Sequence, residues 1–379
     1  YAVCAQGRGH SSRVLAMTET LRARGHEVTF ACGGPARTLF ESLGEKVVPV
    51  PALLEVLDGN RLRFWRTARV NGGVVLRTPA VVRRLAMALE RIGPDLVVSD
   101  FEPFVPRAAA RAGLPMVSLN HQELLTEAVV PTPPGVRTLS VFVRAVIRTI
   151  ATRRPAHRIV TALTALPLRH PARTTLVGPI LRRSVREAVP HRGTHLVAYF
   201  NGEHGLDRHL HALAAPGVPV RVYGTRETGQ RGPLTFCMPS LDGFLADLAT
   251  SRGVVTTAGF TLLSESLFLG KPALALPHAR DVEQTFNAQL VEALGVGQAV
   301  YTRPLDASDV RRFLDAFDGR DVGAASVLPP GHDRAADTIE RILGAKTSAP
   351  DAPASSVPSL SSERRPSSFP TRSSVSARA

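Results

Sequence analysis

The sequence predicts an α/β protein built from two parallel-sheet domains. In both halves of the chain, short apolar segments alternate with segments of helical length, which is the pattern of successive βαβ units. Each half also opens with a strand followed by a glycine-bearing loop. A chain of 379 residues is long enough for two domains of ordinary size.

The N-terminal half gives the first sheet. Its predicted strands are YAVCAQ, HEVTFACGG, KVVPVP, PDLVVSD and LPMVSLN, and its predicted helices are VLAMTETLRARG, PARTLFESLG and VPRAAARAG. The segment GRGHSSR is interpreted as a glycine loop after the first strand. Ligands bind beyond the carboxyl ends of parallel strands. The residues expected there are Gly7 to Arg13, Gly33-Gly34, Asp100 to Pro103 with Glu102 among them, and Asn120-His121-Gln122.

Two segments, 61–91 and 136–154, combine arginines with apolar residues. One interpretation is a set of helices packed on the domain, with their arginines extending into water. The other is docking on an anionic membrane surface. The net charge of +14 is spread along the chain with no aromatic-interleaved basic block, so no nucleic-acid partner is expected.

Proline-rich, irregular sequence separates the two halves. The predicted boundaries are an N-terminal domain over 1–165, a linker over 166–190, a C-terminal domain over 191–344 and a disordered Ser/Pro-rich tail over 345–379. In the second half THLVAYF, PVRVYG and PLTFCMP are predicted strands and SLDGFLADLATS a helix. Helices over Asp309–Phe317 and Arg334–Leu343 close the domain, and the last one is able to pack back on the first domain.

The stretch from Gly253 to Gly297 organises the second half. It is interpreted as a strand (GVVTT), a tight turn at Ala258-Gly259-Phe260, a helix from Thr261 to Leu269, a second strand (ALALP) and a polar loop before another helix. A glycine turn at a helix N-terminus is suited to bind phosphate, because the first N–H groups lack partners and the helix dipole is positive there. Glu265 could accept hydrogen bonds from sugar hydroxyls, and the loop adds Asp281, Glu283, Gln284 and Asn287.

Two residues of the first half are candidates for acid–base chemistry. A histidine at position 10 could take a proton from a hydroxyl, and Asp100 could orient its imidazole. The alternative is that His10 only caps a helix or contacts phosphate, and that Asp100 caps the helix after it. His204, Asp207 and His211 fall on one helical face, but a solvated face is favoured over a metal site. Neither a Walker loop nor a complete dinucleotide motif is present.

Three cysteines, Cys4, Cys32 and Cys237, are far apart in the sequence and are expected to be free thiols in a reducing compartment. No signal peptide and no apolar run of membrane-spanning length is found. The expected location is the cytoplasm, with association at the inner face of the membrane if the basic segments dock there.

The motifs GRGHSSR, PDLVVSDFEP, SLNHQ and TTAGFTLLSESLFLGKPALALP…VEQTFNAQLVEALGVG resemble those of GT-B glycosyltransferases over residues 1–344. The chain is most similar to bacterial and archaeal enzymes related to the UDP-glycosyltransferases and to the peptidoglycan lipid-linked N-acetylglucosaminyl transferase. The resemblance implies two Rossmann-like domains facing a cleft. It assigns the diphosphate to Gly259, Phe260 and Thr261, the ribose to Glu265, and the sugar to Glu283 and Gln284.

In the same way, the resemblance makes His10 the catalytic base and Asp100 its partner, and Asn287 joins the donor residues. Gly7, Gly9, Arg13, Glu102, His121 and Asn201 are expected on the acceptor side of the cleft. The plant and animal enzymes carry a histidine just before the glycine turn, where this chain has Thr256-Thr257-Ala258. Diphosphate binding would then depend on main-chain N–H groups, and uridine is expected from family likeness alone.

The implied reaction is inverting, metal-independent transfer of a hexose-type sugar from a nucleotide diphosphate donor, a UDP-sugar, to an acceptor hydroxyl. No cofactor is expected. The acceptor is a small molecule, a lipid-linked molecule or a glycan. Two alternatives stay open: a GT-B sugar-nucleotide epimerase or hydrolase, and a non-catalytic sugar-nucleotide-binding subunit.

Overall fold

The protein contains two seven-stranded sheets, each flanked by helices. We describe it from a computed structural model. The residues described are 1–53, 57–58, 61–62, 64–130, 137–150, 155–200, 206–238, 240–278, 281–301, 303–320, 322 and 327–347. Asn201, His204 and the tail beyond residue 347 lie outside these ranges, so the predictions made for them have no structural counterpart here.

The first sheet is entirely parallel, and its strand order is β3-β2-β1-β6-β7-β8-β9. Its strands are β1 (Ala2–Val3), β2 (Phe30–Cys32), β3 (Val47–Pro49), β6 (Val97–Asp100), β7 (Met116–Asn120), β8 (His157–Thr161) and β9 (Thr174–Val177). A short hairpin, β4 (Leu57–Asp58) with β5 (Arg61–Leu62), lies outside the sheet. The order reverses between β1 and β6, which places a crevice at their carboxyl ends.

The helices of this domain are α1 (Arg8–Ala23), α2 (Gly34–Ser42), α3 (Phe64–Leu76), α4 (Thr78–Ile92), α5 (Val105–Arg111), α6 (Leu124–Glu127) and α7 (Arg137–Ile150). Each basic segment of the sequence thus contains helix, α3 and α4 in the first and α7 in the second. One face of the sheet is covered by α4 and α5 through Leu85, Ala86, Ala108 and Ala109.

The second sheet has the order β12-β13-β11-β10-β14-β15-β16. Its strands are β10 (Leu196–Tyr199), β11 (Val220–Tyr223), β12 (Gly229–Arg231), β13 (Leu234–Phe236), β14 (Gly253–Thr256), β15 (Ala273–Ala275) and β16 (Gly297–Ala299). All pairs are parallel except β12 with β13, which forms an antiparallel edge. The strand order reverses between β10 and β14, so the crevice of this sheet opens where the glycine turn follows β14.

The helices after the first sheet are α8 (Arg183–Glu187), α9 (Leu206–Ala214), α10 (Leu241–Ala249), α11 (Phe260–Phe268), α12 (Val282–Ala293), α13 (Ala307–Ala316) and α14 (His332–Thr347). The last of these returns to the first domain. Ala335, Ala336 and Ile339 of α14 share a buried cluster with Met17 of α1. Arg24 also forms ion pairs with Asp333, Asp337 and Glu340.

Two sequence predictions are wrong in detail, and two edge strands were not predicted. GRGHSSR is not a loop throughout, because α1 begins at Arg8 and takes in the rest of the motif. The predicted linker over 166–190 contributes β9 to the first sheet, where it pairs with β8. The edge strands β12 and β16 were not predicted, because each is three residues long and contains glycine, which weakens the strand pattern.

Candidate active site

A histidine–aspartate pair lies at the crevice of the first sheet. His10 is in the first turn of α1, and Asp100 is the last residue of β6. His10 Nδ1 lies 2.7 Å from Asp100 Oδ1. A carboxylate can only accept this hydrogen bond, so Nδ1 carries a proton, and in the neutral imidazole Nε2 then holds the lone pair. This is the tautomer in which a neutral histidine acts as a base.

Arg13 is the third member of this cluster. Its Nε donates to Asp100 Oδ2 at 2.8 Å and its Nη2 donates to Asp100 Oδ1 at 2.7 Å. Both side chains are almost completely buried. Burial alone would raise the pKa of Asp100, but the charge of Arg13 and the hydrogen bonds from His10 and Arg13 outweigh it and lower that pKa. Asp100 is therefore held as a carboxylate beneath the imidazole.

The main chain is strained on both sides of the pair. Phe101, immediately after Asp100, has a φ of 55°, and its ring stacks beside His10 with the centroids 6.3 Å apart. Gly7, the residue before α1, has a φ of 93°. A Cβ there would lie 3.1 Å from His10 Cδ2, so glycine is required both for the turn and for the room beside the ring.

The second crevice presents the N-terminus of α11, preceded by Gly259. Neither α11 nor α1 has a side-chain cap, so backbone N–H groups of both first turns stay available to a ligand. The two helix starts approach each other, since a Cβ on Gly9 would lie 2.6 Å from Thr261 Oγ1. Among the described residues, a Cβ on Gly259 would meet nothing within 4 Å. Ala258 has a φ of 63°, a conformation that alanine rarely adopts.

The polar residues at the start of α12 connect the two domains. Glu283 Oε2 accepts a hydrogen bond from Gln122 Nε2 at 3.0 Å, and the same nitrogen lies 3.4 Å from His10 Nε2. Burial raises the pKa of Glu283, with His10 and Arg13 acting in the opposite direction. The Gln284 side chain accepts from the backbone N–H of His278 at 2.9 Å, which ties the preceding loop to the helix.

His121 and Asn287 form a second, fully buried link between the domains. His121 Nδ1 donates to the carbonyl of Thr161 at 2.7 Å, and its Nε2 lies 3.0 Å from Asn287 Oδ1. Nδ2 of the same amide donates to the carbonyl of Ala258 at 3.1 Å. The His121 ring stacks on Phe260, and burial lowers its pKa to about 4. Neither side chain projects into open space; together they fix the glycine turn against the first domain.

Glu265 lies on α11 and is paired with an arginine that the sequence analysis did not single out. Arg182 donates from Nε and Nη2 to the two carboxylate oxygens of Glu265, at 2.9 and 3.0 Å. Arg182 immediately precedes α8, inside the segment that was interpreted as a linker. One feature of the sequence could have pointed to Arg182. It lies where the chain crosses from the first domain to the second, and a segment that crosses between domains passes the cleft.

The structure thus brings most of the expected residues to one cleft. Others, such as Glu102, make structural hydrogen bonds instead. His10, Asp100, Arg13, Gly9, Thr261 and Glu283 converge at the cleft. Glu102 is buried and accepts hydrogen bonds from the backbone N–H groups of Phe104 and Val105 at the start of α5. Gln122, a strand-end residue without an assigned role, contacts both sides of the cleft. Within the described residues, no group of three or more His, Cys, Asp or Glu could hold a metal ion.

The protein-family model described as Glycosyl transferase family 1 matches residues 1–318. An uncharacterised glycosyltransferase of Methanosarcina mazei is 23% identical over 348 residues, which cover 80% of this chain and 85% of the relative. A UDP-N-acetylglucosamine–N-acetylmuramyl-(pentapeptide) pyrophosphoryl-undecaprenol N-acetylglucosamine transferase of Anaplasma marginale is 36% identical over 80 residues. Those 80 residues are 20% of this chain and 22% of that enzyme.

Two solved structures show the same fold over 90% of this chain and 97% of theirs. The glycotransferase of kitacinnamycin superposes with a TM-score of 0.62 at 20% sequence identity. The calicheamicin glycosyltransferase CalG4 superposes with a TM-score of 0.59 at 21% identity. No helix within the described ranges is long and apolar enough to cross a membrane.

Proposed function

The chain belongs to glycosyl transferase family 1 and is a glycosyltransferase with the GT-B fold, and on that premise we propose the reaction it carries out. It transfers a hexose-type sugar from a UDP-sugar to an acceptor hydroxyl, with inversion and without a metal ion. The observation that carries the proposal is the His10–Asp100 pair facing the uncapped N-terminus of α11 across the cleft.

The tautomer of His10 determines which of its nitrogens acts as the base. Its Nε2 takes the proton of the acceptor hydroxyl while the oxygen attacks the anomeric carbon of the donor. The bond from that carbon to the diphosphate breaks, and its electron pair leaves with the nucleotide. Asp100 keeps Nδ1–H in place and stabilises the imidazolium that forms. A single displacement of this kind inverts the anomeric centre.

The N-terminus of α11 would stabilise the leaving group of the reaction. The nucleotide diphosphate gains negative charge as it departs, and N–H groups at Gly259, Phe260 and Thr261 with the α11 dipole would stabilise that charge. Arg182 also lies beside α11, where Glu265 balances its charge. Glu265 would bind the ribose hydroxyls, and Glu283 with Gln284 the sugar. The choice of uridine rests on the resemblance to UDP-dependent relatives.

We assign the acceptor to the lipid-linked class, presented at the anionic inner face of the membrane. The relative from Anaplasma marginale bears a name that includes a pyrophosphoryl-undecaprenol acceptor. In this chain α3 exposes Trp65 and Leu76, each at 83%, and α7 exposes Val141 at 71%. The sequence of α7 contains three arginines and no acidic residue. Exposed apolar side chains among basic ones are the composition that binds anionic lipid surfaces.

A thermal-shift screen of nucleotides and nucleotide sugars tests the donor assignment. A ligand present at a hundredfold over its dissociation constant adds about 2.7 kcal/mol to the free energy of unfolding. We expect UDP and one or more UDP-sugars to stabilise the protein, and other nucleotides to do so much less. Stabilisation by another nucleotide series instead would overturn the choice of uridine.

Measuring UDP release then distinguishes sugar transfer from hydrolysis, epimerisation and simple donor binding. Transfer predicts UDP release that depends on an added polyprenyl-diphosphate-linked sugar and is lost in His10→Ala. UDP release that needs no acceptor would indicate a hydrolase or epimerase. Tight donor binding without turnover on lipid-linked, glycan and small-molecule acceptors would indicate a binding subunit.

A further inference from the structure

The side-chain amide of Gln122 occupies the nitrogen that the proposed mechanism needs as a base. Asp100 fixes the proton of His10 on Nδ1, so Nε2 can only accept. The amide nitrogen of Gln122 lies 3.4 Å from that Nε2 and 3.0 Å from Glu283 Oε2. An amide nitrogen has two hydrogens, so it can donate to both partners at once. Gln122 therefore bridges the base of the first domain and a carboxylate of the second.

The backbone that carries Gln122 is held firmly. Asn120 Oδ1 accepts from the backbone N–H of Glu123 at 2.9 Å, and Asn120 Nδ2 donates to Glu123 Oε2 at 3.0 Å. Ser118 donates to the same carboxylate, and Arg158 donates to Glu123 Oε1 at 3.3 Å. These groups are buried or nearly so. The turn after β7 is thus rigid, and the freedom at Gln122 is limited to its side chain.

The remaining polar atom of Gln122 is Oε1. This oxygen is buried and accepts no hydrogen bond from any group within the described part of the chain. A buried acceptor without a donor costs free energy, so this rotamer is maintained by the two bonds made by Nε2. Loss of one of them would leave the amide free to turn towards a ligand that donates to Oε1.

We propose that Gln122 is a positioning residue that covers the base until donor and acceptor are both bound. The inference rests on the proposed function of the same cleft. Without ligand, the amide donates to His10 Nε2 and water cannot use that lone pair. When the sugar hydroxyls of the donor donate to Glu283, Gln122 loses its anchor in the second domain. The acceptor hydroxyl then replaces the amide at Nε2, and Oε1 becomes available to a hydroxyl of a substrate.

We call the contact between Gln122 and His10 Nε2 the gate. It has a specific chemical use. A nucleotide sugar in a cleft with an exposed base is open to attack by water, which yields free sugar and nucleotide. Covering the base with an N–H group until both substrates are present suppresses that side reaction. The gate also couples the domains, because the group that covers the base is held by a residue of the opposite domain.

The first test needs no substrate. Diethyl pyrocarbonate acylates the free ring nitrogen of neutral histidine, and mass spectrometry reports the rate at His10 with the exposed His191 as internal reference. Gln122→Met keeps the length of the side chain but has no N–H. We expect His10 to react about threefold to tenfold faster in this variant, the range for losing one neutral hydrogen bond. Gln230→Met, on the exposed edge strand β12, is the matched control and leaves the rate unchanged.

The second test measures release of UDP from UDP-glucose and UDP-N-acetylglucosamine without acceptor. We expect faster hydrolysis in Gln122→Met and an unchanged dissociation constant for UDP itself, which a general loosening of the fold would not produce. Unchanged acylation of His10 overturns the gate, and so does unchanged hydrolysis of a donor that stabilises the wild-type protein. Faster acylation without any nucleotide-sugar binding supports the gate and overturns the proposed donor.

Discussion

Arg13 and Asp100 form a two-point ion pair beneath the imidazole of His10, with the guanidinium and the carboxylate both withdrawn from solvent. Removing one partner of a buried pair leaves the other as an uncompensated charge, which costs about 3–5 kcal/mol. We expect Arg13→Met to lower the free energy of unfolding at pH 7 by that amount, measured by urea titration. Arg183→Met removes the exposed Arg183–Glu187 pair and is the control, with no measurable change expected.

The same pair predicts how stability depends on pH. The pKa of Asp100 is lower in the folded protein than in the unfolded chain, so its contribution is fully present above the unfolded value of about 3.9. That contribution is lost as the pH falls through the folded value. In Arg13→Met, burial acts on Asp100 without its cation and favours the protonated form. The stability difference between wild type and variant should therefore shrink from pH 7 towards pH 4, and a constant difference would contradict this account.

Asp100→Asn removes both the charge of Asp100 and the acceptor that fixes the tautomer of His10. An asparagine can donate to Nδ1, which moves the imidazole proton to Nε2 and removes the base. We expect kcat to fall about 10²–10⁴-fold, as for the loss of general base catalysis, with the dissociation constant for UDP unchanged. Because both residues act as one unit, the double variant with His10→Ala should be no worse than the single ones. Additive losses would show that Asp100 has a separate role.

The contrast between Arg13 and His10 shows how far the sequence could predict this site. Both His10 and Asp100 follow strands of one parallel sheet, so their meeting follows from the rule that carboxyl ends share an edge. The role of Arg13 could not be predicted while residues 7–13 were interpreted as a loop. A helix that begins at Arg8 places residues 10 and 13 one turn apart on the same face. Gly7 lacks the capping side chain that would have revealed that start.

The side-chain contacts between the two domains could not be predicted from the sequence for a different reason. Gln122 and Glu283 are 161 residues apart and belong to different domains. Periodicity and turn chemistry determine each domain separately, but they carry no information on how two sheets face each other. The same holds for Arg182 with Glu265. The resemblance assigns Glu265 and Glu283 to the donor, but their partners Arg182 and Gln122 are ordinary polar side chains in the sequence, and only the packing of the domains makes these pairs.

Gly259→Ala separates the ligand role of the glycine turn from its role in folding. Gly259 has a φ of −65° and a ψ of 132°, which alanine adopts without strain, and a Cβ there meets no described residue within 4 Å. We expect the free energy of unfolding to change by no more than about 0.5 kcal/mol. The added methyl group would occupy the approach to the first N–H groups of α11 and weaken UDP binding at least about tenfold, measured by calorimetry.

Gly72→Ala is the matched control for this variant. Gly72 lies within α3, and a Cβ there also meets no described residue within 4 Å. Alanine is the better helix former, so a gain of up to about 1 kcal/mol in stability with unchanged UDP binding is expected. Equal UDP affinity in Gly259→Ala and wild type would mean that the diphosphate does not approach α11 at this point.

The arginines of α7 provide the test of membrane docking. Burial and the neighbouring charges of Arg169 and Arg148 lower the pKa of Arg144, so like charges crowd together beside the exposed Val141 and Phe142. Vesicles containing phosphatidylglycerol should relieve that repulsion, at about 1 kcal/mol for each basic residue near the surface. We expect the double variant Arg144→Gln/Arg148→Gln to bind such vesicles about thirtyfold more weakly in low-salt sedimentation.

The control is the double variant Arg311→Gln/Arg320→Gln, which removes the same charge from exposed positions of the other domain. An equal loss there would assign binding to net charge, whereas a loss confined to α7 assigns it to this helix.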